Sequence, residues 1–176
     1  MLTGLSATAE RKYHSDVDET GGVSRVITTV QTLLRRSRIT EAQAAAAERW
    51  RVDYVFFNFG VGDQDPLLRC GISGDQESFQ LARVGAGEAL RGARAAIGRA
   101  GEQRLILMLV EELPFARIGD LLFPGSPTGC RQASAQIALV LEVLADHYYE
   151  ADRVSHHHPL DFTVGGHPAV RYNKRV

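Results

Sequence analysis

The chain has 176 residues, 44% of them apolar and 23% charged, and a formal net charge of −1. That balance fits one globular domain and is unlike a disordered polar chain. No run reaches the roughly 18 consecutive apolar residues of a membrane span. A near-neutral chain also lacks the bulk basic charge that binds nucleic acid without selectivity, so any phosphate contact must come from local clusters.

Those clusters would be arginine, because Lys12 and Lys174 are the only lysines. Arginine suits bidentate contacts to phosphate and guanine. Cys70 and Cys130 are too few and too far apart for a disulfide framework. The opening Met1-Leu2-Thr3-Gly4 lacks the basic and then apolar regions of a secretory signal. A cytoplasmic location is therefore the expectation.

Residues 1–24 are polar, mixed in charge and end in Gly21 and Gly22, which reads as a flexible arm. A first helix is predicted over 26–36, where Ile27, Val30, Leu33 and Leu34 recur at helical spacing and Arg35 and Arg36 complement the dipole at its end. Thr40 followed by Gln43 is a capping-box pattern, and the next helix should align Ile39, Ala42, Ala46, Trp50, Tyr54 and Phe57. Its end, Val52 to Phe57, is apolar nearly all round and predicts deep burial or a subunit contact. From Gly60 to about Gln76 the residues are those of a loop. A helix is predicted over 88–99, with Leu90, Ala93, Ala96 and Ile97 on one face. The run Arg104–Val110 reads as a buried helix, with a strand as the alternative.

Pro114 suits the first turn of a short amphipathic helix over 115–122, with Phe115, Ile118, Leu121 and Leu122 inward. Phe123 to Pro127 holds two prolines and a glycine and must turn. Thr128 can then cap a helix running to about Asp152, whose inward stripe is Cys130, Ala133, Ile137, Leu141, Leu144 and Tyr148. The outer side of this helix begins with Arg131, Gln132, Ala135 and Gln136 and finishes with Glu142, Asp146, Glu150 and Asp152. A helix entering a major groove tip-first needs that gradient, small and hydrogen-bonding residues first and carboxylates kept from phosphates. The fold class expected is all-α, a helical bundle over 25–153 ending in a helix-turn-helix at about 102–152, with a tail over 154–176.

The segments Ile39–Ala44, Ala47–Tyr54, Ala89–Ile97 and Gln136–Tyr148 together resemble an uncharacterised helical domain of bacterial and prophage regulators. That family is similar to the C-terminal part of an activator of gene transfer agent expression. The C-terminal half is similar in layout to the helix-turn-helix of sigma factor region 4. The resemblance implies promoter DNA and RNA polymerase as partners.

The candidate DNA contacts are Arg131, Gln132 and Gln136 to bases or phosphates, and Arg117, Ser126 and Thr128 to phosphates or at the helix tip. The function expected is a DNA-binding transcriptional regulator, with a homodimer as one possible assembly and no membrane partner. Two alternatives are an adaptor for RNA polymerase or another regulator, and a packaging protein like a phage small terminase.

No catalytic constellation is legible, and neither cofactor nor metal is expected. His156, His157 and His158 stand beside Pro159 in the tail rather than on a scaffold with a second shell. Gly85 to Gly92 lacks the preceding strand and the Lys-Ser/Thr pair of a phosphate loop, and reads as glycines at a helix start.

Overall fold

A computed structural model describes residues 16–18, 25–60 and 76–157. Their secondary structure is helical apart from a small antiparallel ribbon, β1 (Asp16–Asp18) on β2 (Arg25–Ile27), with Val17 opposite Val26. Five α-helices follow among the described residues: α1 (Thr29–Arg35), α2 (Glu41–Phe59), α3 (Gln76–Leu105), α4 (Phe115–Leu122) and α5 (Gly129–His157). Between α3 and α4 lies a π-helical turn, Ile106–Val110.

Local chemistry explains most of the boundaries. Thr40 Oγ1 accepts from the Gln43 amide and the Thr40 amide donates to Gln43 Oε1 at 2.8 Å, so the predicted capping box forms. Thr28 and Gln31 form a second box at the start of α1. Gly60 closes α2 in the left-handed conformation, φ 68°, and its amide reaches the Phe56 carbonyl. Pro114 precedes α4 with φ −68° and ψ 154°, the extended geometry of an N-cap.

The core is centred on α5. Ala133, Ile137, Leu141 and Leu144 have no exposed surface, and α2, α3 and α4 all pack on this helix. Ala46, Ala47 and Trp50 come from α2, Leu90, Ala93 and Leu105 from α3, and Phe115 and Ile118 from α4. Alanines at the facing positions leave room for close helix approach. Thr29 Oγ1 donates to the Leu113 carbonyl, a partly buried tie between α1 and the chain just before α4.

Several expectations need correction. The first helix starts at Thr29 rather than at 26, because residues 25–27 are taken by β2, and β1 falls inside the expected arm. The helix expected over 88–99 begins at Gln76, so Gly85, Gly87 and Gly92 are interior rather than at a helix start. It also continues past 99 after a break at Gly98, φ 71° and ψ 170°. Such a conformation is open to glycine and strained for other residues, which makes Gly98 the hinge of a two-part helix. The run Arg104–Val110 is helical, with its last five residues in the π-turn. The C-terminal helix reaches His157, five residues past Asp152. Leu121 is 56% exposed rather than inward, and Cys130 is exposed rather than on the buried stripe. On α2, Phe56 is buried while Ala42 and Phe57 are exposed, since the helix buries its 46–47–50–56 side. The rest of the arm, most of the loop after Gly60 and the tail beyond His157 lie outside the described residues.

One polar cluster closes the far end of the bundle. The Arg49 guanidinium lies 4.2 Å over the Tyr148 ring and pairs with Asp152 at 3.0 Å. The buried Tyr148 hydroxyl has no hydrogen-bond partner among the described residues. Burial, and then the Asp53 and Asp152 carboxylates, hold its pKa above the ordinary value, with Arg49 opposing. The unfolded phenol ionises near pH about 10. Stability from this group is therefore complete below that pH and falls as pH rises towards the folded value. Tyr148→Phe should leave thermal stability near neutral pH unchanged or higher by about 1 kcal/mol. It should also flatten the alkaline loss, and thermal melts recorded across the alkaline range will show whether it does.

Candidate nucleic-acid interface

The junction of α4 and α5 is built around two glycines. A Cβ on Gly119 would lie 2.5 Å from the Cys130 amide nitrogen and 2.6 Å from the Gly129 carbonyl carbon. A Cβ on Gly129 would in turn approach the Gly119 carbonyl oxygen at 3.0 Å. The two helices thus cross backbone to backbone, at a separation that excludes a side chain at Gly119 and would crowd one at Gly129. Between them the chain turns through Gly125, φ 77°. Backbone bonds from Phe123 to Gly119, Ser126 to Phe123 and Gly129 to Ser126 fix the turn.

This crossing sets the direction in which α5 starts. Thr128 stands immediately before it, with its carbonyl accepting from the Gln132 amide and its hydroxyl 3.3 Å from that of Ser126. Arg131 and Gln132 are exposed in the opening turns, as are Thr128 and Ala135. The first turn holds no acidic residue. The positive end of the helix dipole is therefore met by no competing carboxylate in that turn.

Gln136, one turn further on, is half-buried and already held. Its Oε1 accepts from Arg104 Nε at 2.9 Å and Nη2 at 2.7 Å, while Arg104 Nη1 donates to the Ala100 carbonyl. The Gln136 amide NH₂ keeps its two donors. Arg117 is half-buried and engaged in an interaction of its own. It precedes Gly119 by two residues, a helical step of about 200°, which places it on the side of α4 away from the glycine crossing. Ser126, Thr128, Arg131 and Gln132 thus share one tip, Gln136 is tied to a neighbouring helix, and Arg117 stands apart.

Beyond the tip the outer face of α5 changes character. Leu139 is 61% exposed and Val143 is 38% exposed, alongside the exposed carboxylates of Glu142, Asp146 and Glu150. Sequence reasoning missed Arg104 and Gly119. A glycine inside an eight-residue helix is unfavourable by about 1 kcal/mol unless a close contact requires it, and that signal was present. Nothing in the spacing pointed to the Arg104–Gln136 bond, which joins residues 32 positions apart. His147 packs beside Gly92 in the α3–α5 contact, and no group of ligating side chains suited to a metal occurs among the described residues.

No protein-family model matches the chain, and no curated protein or solved structure matches it significantly.

Gly119→Ala tests the crossing. Alanine adds about 1 kcal/mol of helix propensity, so an unconstrained site would be stabilised. Overpacking against backbone should instead give a net loss of about 1–3 kcal/mol, read as a lower urea midpoint.

Proposed function

We propose that this chain is a non-catalytic, DNA-binding transcriptional regulator in which α4, the turn and α5 act as a helix-turn-helix. On the resemblance of its sequence to prophage and gene-transfer-agent regulators, its targets are genes of that kind. The observation that carries the reading is the exposed Arg131–Gln132 pair on an α5 tip whose direction is fixed by the Gly119–Gly129 crossing. Rigid presentation matters because base readout depends on placing bidentate donors within a few tenths of an ångström.

The residues divide into roles by chemistry. In this reading Arg131 and Gln132 meet base edges, and the remaining Gln136 donors extend that surface by one turn. Ser126 and Thr128 offer hydroxyls at the dipole's positive end, where a backbone phosphate is favoured. Arg117, half-buried, engaged elsewhere and apart from the tip, is left out of that surface. The carboxylates at Glu142, Asp146 and Glu150 follow where α5 would leave the groove.

A second reading rests on a different observation. Phe59 and Leu81 are 65% and 66% exposed, and Phe57 and Val84 are also uncovered. An adaptor that binds RNA polymerase or another regulator would use such a face without reading DNA.

Electrophoretic mobility shifts on duplexes selected from a random pool separate the two. The regulator should bind with an affinity that falls as salt rises. Arg131→Ala with Gln132→Ala should weaken binding at least about tenfold and relax discrimination among the selected duplexes. Absence of any duplex binding at low salt refutes the regulator and leaves the adaptor.

A further inference from the structure

A cleft of about 450 Å³ lies between the second half of α2 and the kinked α3, on residues the proposed DNA contacts do not use. That volume is in the range of small-molecule sites. Tyr54, Phe57, Leu90 and Ile106 supply its apolar lining. These walls are held in place: the Tyr54 ring stacks on buried Trp50 at 4.9 Å, and the Phe57 ring lies so close to Gly87 that a Cβ there would fall 2.6 Å from it. The Asn58 side chain is fixed on the Tyr54 carbonyl at 2.8 Å.

The charged lining is unbalanced. Arg91 and Arg94, three residues apart on α3, both border the cleft, and Glu102 is the single carboxylate among the described residues that line it. Glu102 reaches back across the Gly98 break to pair with Arg94 at 3.0 Å. Arg91 is exposed and has no ion-pair partner among the described residues. One guanidinium is therefore compensated and the next is not, beside an aromatic and aliphatic wall.

We infer that this cleft binds a small organic monocarboxylate, its carboxylate on Arg91 and its apolar body between Tyr54, Phe57, Leu90 and Ile106. A single carboxylate matches the one uncompensated charge, and a guanidinium binds it through paired N–H donors. A neutral ligand would leave Arg91 unanswered, and a dianion would exceed the charge available while Glu102 stays paired. The binding is independent of whether α5 reads DNA.

The probe is 4-phenylbutyrate, with 4-phenylbutanamide as its neutral twin, titrated calorimetrically into the full chain without DNA. The carboxylate should bind at least about tenfold more tightly than the amide, the scale of a charge-assisted hydrogen bond. Arg91→Ala should abolish that difference, and an unchanged far-UV circular dichroism spectrum is expected because Arg91 is exposed. Glu102→Gln, which frees Arg94, should tighten the carboxylate several-fold. Methyl resonances of Leu90 and Ile106 should move during the titration. Equal binding of the two probes, full retention of the preference in Arg91→Ala, or shifts confined to methyls away from the cleft would each overturn the proposal.

Discussion

The fold depends on one constraint: a single side of α5 must meet three other helices at once. Ala133, Ile137, Leu141 and Leu144 recur at intervals of three and four and are fully buried. Each of the larger three contributes about 1.5–3 kcal/mol by leaving water. Their shared register fixes the rotation of α5 about its own axis. The opposite side is thereby committed to solvent, and Arg131 and Gln132 stand on it because Ala133 and Ile137 do not. Core and surface of this helix are one decision.

The other ties are polar or steric and act where hydrophobic burial gives little direction. Thr29 anchors α1 to the Leu113 carbonyl, and Arg104 holds Gln136. Arg49 both covers the Tyr148 ring and pairs with Asp152, so a lysine there would lose the planar stacking surface and the forked donors together. The Gly119–Gly129 crossing has no attractive group of its own. It works by letting two backbones approach to a distance that a side chain at Gly119 would prevent.

What could be read in the sequence was whatever depended on neighbours along the chain. The Thr40–Gln43 box, the Pro114 start, the turn after Leu122 and the stripe from Ala133 to Tyr148 each follow from spacing within one or two turns. What escaped depended on partners far away. The first turns of α3 carry exposed Leu81 and Val84 and interior glycines, so no clean apolar period announces them. Leu121 looks inward by spacing, yet α4 buries its Phe115–Ile118–Gly119 side and leaves it in water. Cys130 fits the α5 stripe by period, but it lies at the crossing, where Gly119 meets its backbone and its residue remains exposed. For the candidate interface, the exposed tip residues were legible. The restraint of Gln136 by Arg104 was not, because it joins two helices.

The separation of contacts along the chain also has a kinetic side. Gly119 and Gly129 are close neighbours in sequence, whereas Thr29 meets a partner 84 residues away and Arg49 one 103 residues away. Bringing distant segments together loses more chain entropy than closing a ten-residue span. The C-terminal pair can therefore collapse early and offer a ready surface, onto which the amino-terminal helices condense afterwards. On a ribosome the order of synthesis runs the other way. The side of α2 that packs on α5 must wait uncovered until the last helix emerges, which makes that interval the time when the chain most needs protection from aggregation.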